Sequence, residues 1–451
     1  MFLTNTILLY LFDIFLLFFF ISSVFEKEKR ASIISFVFFI GNNLFWIFLI
    51  NFNYINIILY LNYFILFIIP VFAIISLIKY FPEQPEKSTD NIQQFDERNH
   101  MFSRNNLQFY PILMKKYYLD NPDKRGMDEK IHALPELGEE GATYYDDYYS
   151  DIASAGFKVL DRTTFLVNGE KSKKKREIDS EKITEAIKFI AKYYGAVDVG
   201  ITKLKKYHFY SHHGRREENW GEEIKNTHKY AIVMVVKMNY DMMKHAPSLP
   251  IILESSKHYV EAAKIAHIIA EYVRGFGYDA RSHVDGNYEV LAVPTARDAG
   301  IGEVGRMGIL VHPKYGPRIR ISIVTTDMEL IESPKRKNHH IEEFCKICKK
   351  CADNCPTNSI SKEVKPYSRG FHHWSIRQET CYAFWKKSGT DCAFCIRSCP
   401  YTKKDTLLHS LVRFYISLNP FNQRVALFFD DLFYGRKFKL KKQNPDLRKL
   451  L

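Results

Sequence analysis

The 451-residue sequence predicts an α/β domain that carries a compact cysteine-rich module and follows an N-terminal bundle of apolar helices. Three observations lead there. The first 80 residues are nearly free of charge, helical and strand patterns alternate between residues 179 and 325, and all eight cysteines fall between 345 and 399. A mean hydropathy of −0.23 averages over this contrast, because the polar remainder carries nearly all of the +13 formal charge. A basic excess of that size suits nucleic acid, anionic lipid or an acidic partner. Much of it stands in short runs such as Lys171 to Arg176, which form solvated faces, so no nucleic-acid partner is expected.

Residues 1–80 read as a membrane anchor of three transmembrane helices, roughly Ile7 to Phe25, Ala31 to Ile50 and Ile55 to Ile78. Each approaches the ~20 apolar residues that cross a bilayer. A cleaved signal peptide would need a basic start and a small-residue cleavage site, whereas MFLTNT has no Lys or Arg and the first Arg is Arg30. The connection Glu26 to Arg30 is basic and the connection around Asn51 to Tyr54 is uncharged. The positive-inside rule therefore predicts a multi-pass protein of the inner (cytoplasmic) membrane with everything after residue 80 in the cytoplasm, a side on which cysteines stay reduced. Asp13, Asn42 and Asn43 are polar groups inside these spans. They face a partner helix or a quinone, or else lie near a span end or bond within the bundle.

Residues 81–177 show no long periodic pattern and read as a linker followed by irregular structure. From Asp179 a capped helix runs to Gly195. Lys229 to Met238 is a short β-branched run typical of a buried strand, and Ser255 to Phe276 is a second amphipathic helix closed by Gly277. Further strands are expected at Gly308 to His312 and Ile319 to Thr325, around the turn PKYGPR. Alternation of helix and strand argues an α/β domain over 178–335. A ferredoxin-like module over 336–405 and a C-terminal tail packing on the core over 406–451 complete the chain.

The cysteines fall in two runs, C-x2-C-x2-C-x3-C-P (Cys345, Cys348, Cys351, Cys355) and C-x10-C-x2-C-x3-C-P (Cys381, Cys392, Cys395, Cys399). Disulfides belong to oxidising compartments, and zinc ribbons lack the C-x3-C-P ending. The spacing is that of two-cluster ferredoxins, in which the Cys before Pro ligates the other cluster. Two 4Fe-4S clusters follow, one on Cys345, Cys348, Cys351 and Cys399, the other on Cys381, Cys392, Cys395 and Cys355.

The segment AGIGEVGRMGILVHPKYGPRIRISIVTTDMEL (Ala299 to Leu330), the run FCKICKKCADNCP, the later DCAFCIRSCPYTK, and GFGYDA and APSLP together resemble the corrinoid-dependent reductive dehalogenases over roughly residues 180–435. The resemblance implies a nitroreductase-like α+β core that binds a base-off corrinoid, fed by two 4Fe-4S clusters that reduce its cobalt for attack on a halogen. In keeping with the family, D-x-H-x-x-G is absent; the nearest match, RSHVDG, has Arg281 where the Asp stands. Most respiratory members carry a twin-arginine leader and dock on a separate three-span subunit. This chain looks instead like an anchor fused to a catalytic subunit.

Carried over onto this sequence, the resemblance makes Tyr259 the proton donor, Arg318 its cationic partner and Asn287 the residue between them, with Arg320 and Tyr288 in reserve. A guanidinium beside a phenol stabilises the phenolate and eases proton donation; the bland alternative is that Tyr259 packs a helix face. Gly302, Gly305, Arg306 and Gly308, with Tyr315 and Gly316 in the turn, are expected to bring backbone close to the corrinoid, since G-x-x-G-x-x-G lacks the order of a dinucleotide loop. His212, His213, His339 and His340 are expected at the surface.

The function expected is replacement of halogen by hydrogen on an organohalide, with membrane lipid and an electron donor (quinone, ferredoxin or flavodoxin) as partners; a homodimer stays open. Two alternatives remain. An epoxyqueuosine-reductase-like enzyme uses the same cofactors with an Asp as proton donor, for which Asp285 lies suitably; a membrane ferredoxin-type carrier would have no substrate site.

Overall fold

The computed structural model describes residues 2–51, 64, 67–68, 70–81, 92–335, 340–363, 365–369, 371–440 and 443–450. The chain divides into two compact units, one of Met1–Glu83 with Lys404–Phe438, the other of Gln84–Lys403 with Lys439–Leu451.

In the first unit α1 (Phe2–Phe25) and α2 (Lys29–Asn51) pair as a hairpin. Among the described residues one segment, Lys29–Phe48, is long and apolar enough to cross a membrane; Tyr10–Phe25 is a shorter apolar helix. Of the three spans of the sequence reading, the described residues thus show one of spanning length, and most of the third expected span lies outside them. Asp13 is bonded within the hairpin. Its Oδ1 accepts from Asn42 at 2.9 Å and from Asn43 at 3.2 Å, so these polar groups satisfy one another in an apolar bundle.

In the second unit the segment expected to be irregular is largely helical: α3 (Met101–Asn106), α4 (Pro111–Asp120), α5 (Pro122–His132) and α6 (Ser150–Arg162). Two of these helices begin on a proline, a residue suited to the first turn. They hid from periodicity because they bury few apolar side chains, Tyr117 and Tyr118 on α4 and Ile131 on α5. Charge holds them instead. The fully buried Arg104 donates to Asp128 through Nε at 2.9 Å and also binds Glu379, while Tyr118 donates to Asp128 at 2.8 Å. A Cβ at Gly156 would run into Ser256, so glycine there lets α6 approach its neighbour closely.

The capped helix is observed as α7 (Ser180–Tyr193), with Asp179 accepting from Glu181 and Lys182. The second amphipathic helix is α8 (Pro250–Gly275). Around them lies a four-stranded sheet in the order β1 (Asp198–Lys203), β2 (Tyr230–Lys237), β6 (Ile319–Thr326), β3 (Ala280–His283), antiparallel throughout. The short pair β4 (Glu303–Val304) and β5 (Leu310–Val311) stands apart. The core is thus α+β, and the α/β expectation from alternation alone is corrected. Along β2, Ile232, Met234 and Val236 face α7 and α8, whereas Ala231, Val233 and Val235 face the cluster of Val290, Ala296, Ile301 and Leu310. Both faces are covered, so the strand reads as one apolar run, the pattern a parallel strand would also give. The polar β3 escaped notice because its buried groups are paired: His283 with Thr325 at 2.9 Å and Ser282 with His267 at 2.9 Å.

Two helices carry the cysteine module, α9 (His340–Cys348) and α10 (Gln378–Ser388). The expected C-terminal tail is largely helical, as α11 (Leu407–Ile416) and α12 (Pro420–Tyr434), which cluster with the N-terminal helices. Its last residues, from Lys439, belong to the sheet unit, where Asn444 accepts from the Leu249 backbone at 3.0 Å.

Arg104 tests the polar bracing. Arg104→Leu strands buried Asp128 and should destabilise the protein by about 3–5 kcal/mol. Arg125→Leu, in a solvent-exposed pair with Glu129, should change stability by no more than about 1 kcal/mol. Chemical denaturation of both variants checks this, and equal effects would remove the argument.

Candidate functional site

All eight cysteines are free thiols in the structure. Cys345, Cys348, Cys351 and Cys399 line one cavity together with Arg306, Phe344, Lys349 and Tyr401. Cys355, Cys381, Cys392 and Cys395 form the second set, close enough to act on one another electrostatically. Two chain segments therefore interlock, each lending its last cysteine to the other. Lys349, Cys392 and Ala393 hold left-handed backbone with φ of 56°, 59° and 50°, a conformation uncommon outside glycine that turns the loops inward.

Burial pushes the Cys345 thiol up to about 11 and those of Cys381 and Cys392 to about 12. Bare thiols held so high are poor nucleophiles, whereas a bound metal deprotonates a thiol outright. Among the described residues no group of three Cys, His, Asp or Glu closes on a single ion. Four thiols spread around a cavity suit a polynuclear cluster better, and the donor set fits iron–sulfur.

The glycines expected to approach a corrinoid approach the protein itself. A Cβ at Gly302 would stand 2.5 Å from the Val311 carbonyl oxygen, and one at Gly305 2.7 Å from the Val311 side chain and 3.7 Å from Cys345 Sγ. Gly316, with φ of 61°, leaves room for the Tyr401 carbonyl, and Gly308 lies against the backbone of Trp374 and Ser375. Arg306 clasps the cysteine loop, donating to the carbonyls of Cys345 at 3.0 Å, Ser361 at 2.9 Å and Glu363 at 2.8 Å. Tyr315 is buried against His312. In the structure the small size and charge of these residues serve contacts between the sheet domain and the cysteine module.

A second polar site lies where α8, β6, the loop 284–288 and the loop before Cys392 meet. Tyr259, on α8, carries Arg320 of β6 over its ring at 4.8 Å. Arg320 is held by Asp391 at 2.8 Å and by Ser255, which also donates to Asp391. Burial lifts the Tyr259 phenol to about 12, the Arg320 guanidinium draws it down, and Asp285 and Asp391 push it up again. Burial likewise lifts the carboxyls of Asp285 and Asp391 while Arg320 pulls both down. Tyr288 donates to the Ile321 carbonyl at 3.2 Å and interacts with Tyr259.

Arg318 is not the partner of Tyr259. It donates to the carbonyls of Met238 at 2.9 Å and Thr402 at 3.0 Å. It precedes the first residue of β6, so the strand's side-chain alternation, which aims Arg320 at α8, does not govern it. Asn287 accepts from Arg281 at 2.7 Å in the loop that carries Asp285. His212 and His213 are half-buried, pairing with Asp96 at 3.8 Å and Glu289 at 3.9 Å; His339 lies outside the described residues and His340 faces Glu303 at 3.8 Å.

Sequence reasoning missed Ser255, Asp391 and Arg215, the last of which acts on both Tyr259 and Asp285. Ser255 precedes Tyr259 by four residues, the spacing of neighbours on a helix face, and Asp391 adjoins Cys392. Both positions were signals available beforehand. Nε of Arg281 pairs with Glu289 at 3.2 Å, whereas Nε of Arg215 and of Arg320 is buried without a hydrogen bond. Such donors fit the amide-rich rim of a corrinoid.

Fold and site define an iron–sulfur protein, a two-run cysteine module built onto an α+β domain. A family model described as a 4Fe-4S dicluster domain matches residues 344–403. The tetrachloroethene reductive dehalogenase of Desulfitobacterium hafniense is 34% identical over 235 residues, 49% of this chain and 41% of that protein. That of Sulfurospirillum multivorans is 28% identical over 294 residues, 57% of this chain and 58% of that one. The solved structure of the catabolic reductive dehalogenase NpRdhA in complex with 3-bromo-4-hydroxybenzoic acid has a TM-score of 0.63 and 24% identity, covering 80% of this chain and 51% of that one, and shows the shared fold. The chain is thus similar to the reductive dehalogenases, while spanning about two-fifths to three-fifths of the length of these curated relatives.

Proposed function

We propose that the chain is a membrane-anchored reductive dehalogenase: a carbon-bound halogen plus two electrons and a proton gives the carbon–hydrogen bond and free halide. The observation that carries this reading is the Tyr259–Arg320 pair braced by Ser255 and Asp391, one residue from Cys392. A protonated phenol thus stands beside a fixed cation and next to the cysteine module.

In this reading Cys345, Cys348, Cys351 and Cys399 hold one 4Fe-4S cluster and Cys381, Cys392, Cys395 and Cys355 the other. Clusters of this type supply single electrons, and a base-off corrinoid bound at the site would supply the two-electron chemistry at carbon. The buried Nε donors of Arg215 and Arg320, which make no hydrogen bond within the protein, support its binding. Tyr259 keeps its proton at neutral pH because burial holds it near 12. It releases that proton only when a strong base develops at the reacting carbon, and Arg320 stabilises the phenolate left behind. Ser255 and Asp391 fix the guanidinium over the ring. Asn287, through Arg281, positions the loop of Asp285.

Asp285 favours a second reading. It is a half-buried carboxyl whose pKa is raised by desolvation near Tyr259, and an epoxyqueuosine-reductase-like enzyme would use such an Asp as its donor.

The lipid partner is supported by Lys29–Phe48; with a return crossing through the third apolar stretch of the sequence, the basic connection at Lys27, Lys29 and Arg30 favours a cytoplasmic catalytic unit. A reporter active only in the cytoplasm, fused after Leu451, should give signal; signal only from a reporter of the opposite side would reverse the topology.

Cys351→Ser should remove one cluster, because a hydroxyl is a poor iron ligand, and should lower iron content by about half with loss of turnover. Full iron and full turnover in this variant would defeat the cluster assignment.

Tyr259→Phe keeps ring volume and deletes the proton, so dehalogenation of a halocarbon panel by fully loaded protein should fall about 10²- to 10⁴-fold. Arg320→Leu should act on the same step, and the double variant should lose much less than the product of the two single losses. Near-normal rates for Tyr259→Phe together with collapse for Asp285→Asn would favour the second reading.

A further inference from the structure

Within the unit of N- and C-terminal helices, α11 and α12 have their polarity inverted relative to a water-soluble hairpin. On α11 the exposed side chains are Leu407 (71% exposed), Leu411 (55%) and Phe414 (62%), while His409 and Arg413 are turned inward. On α12, Phe428 is 64% exposed, whereas Asn422 and Gln423 are 0% and 1% exposed.

The inward polar side chains are hydrogen-bonded, though single oxygens such as Asn422 Oδ1 accept no bond. Asn419 donates to the carbonyls of Ile75 at 3.0 Å and Ile78 at 2.9 Å, and Asn422 donates to those of Ser76 and Tyr415, both at 2.9 Å. These amides cap the end of the helical stretch at 70–77, whose last carbonyls have no partner within the helix. His409 meets Glu26 at 2.9 Å, and Thr406 donates to Glu26 at 3.1 Å. Polar atoms paired inside and large apolar side chains outside is the arrangement imposed by hydrocarbon, where an unpaired polar group costs several kcal/mol.

The apolar face continues that of the N-terminal helices. Phe433 lies on Phe19 with ring centroids 4.6 Å apart, and Phe421 on Phe72 at 5.5 Å. After α12 the sequence reads GRKFKLKK, five cations in eight residues, which suits anionic headgroups. At 1.5 Å per residue α11 is about 15 Å long and α12 about 22 Å, both short of a ~30 Å hydrocarbon core.

We infer that α11 and α12 form a lipid-facing hairpin seated in one leaflet beside the N-terminal helices, so that the anchor is built from both ends of the chain. This rests on the membrane reading above and extends it to a segment some 380 residues distant from Glu26 in sequence.

The full chain, reconstituted in phosphatidylcholine/phosphatidylglycerol vesicles containing a phosphatidylcholine with a photoreactive acyl chain, is irradiated and its lipid adducts mapped by mass spectrometry. Adducts are expected on α2 and also on Leu407, Leu411, Phe414 and Phe428. Phe414→Asp combined with Phe428→Asp should lower hairpin labelling several-fold and leave α2 labelled. Labelling of α2 without the hairpin overturns the inference but keeps the N-terminal anchor. Labelling of neither overturns both, and hairpin labelling alone supports the hairpin while refuting the anchor at α2. Crosslinks joining the hairpins of two copies in place of lipid adducts would assign the face to a second copy of this chain and overturn the inference.

Discussion

Eight thiols must converge from two stretches of chain, and the second unit is arranged around that requirement. Helices α9 and α10 bring the two runs together, and residues outside the cysteine runs then close on them. Arg306 binds the carbonyls of the first loop, Gly305 and Gly316 allow backbone to pass where a side chain would not fit, and Arg104 ties α3 to α10 through Glu379. Each contact joins elements far apart in sequence to one small module. Such a module has little apolar surface of its own and draws its stability from neighbours and from whatever its thiolates bind.

Buried charge is managed in the same way at the second site. An isolated guanidinium in this interior would be costly; Arg320 is tolerated because Asp391 neutralises it, Ser255 orients it and the face of Tyr259 receives it. Asp391 serves a loop that must be ordered for Cys392, so one short segment fixes both a thiol and the cation over the phenol. The juxtaposition of the cysteine thiols and a phenol beside a cation is thus a consequence of chain geometry.

In the unit of terminal helices the proposed solvent is lipid, and the arrangement of polar and apolar groups reverses. Asp13 with Asn42 and Asn43, Glu26 with His409, and Asn419 with the end of the stretch at 70–77 are all internal polar pairings, while aromatic and aliphatic side chains point outward. Lipid gives no driving force to bury apolar groups, so hydrogen bonds and close packing hold such helices together.

By itself the sequence determined what depends on local spacing. The two cysteine runs and their crossed grouping, the capped helix α7, the long helix α8 and the buried strand β2 were all legible, because ligand spacing, caps and periodicity act over a few residues. Partners distant in the chain were left to the tertiary structure. Arg318 and Arg320 are two residues apart and equally plausible on paper; the turn sends one to backbone carbonyls and the strand's alternation sends the other to Tyr259. The glycines from 302 to 316 announced close approach without saying to what, since a missing Cβ records only that space is needed. Antiparallel pairing was hidden because β2 is covered on both faces, and α3 to α5 were hidden because charge pairs, which have no period, hold them. That the last helices join the first ones was decided only in three dimensions, where polar side chains found partners across the whole length of the chain.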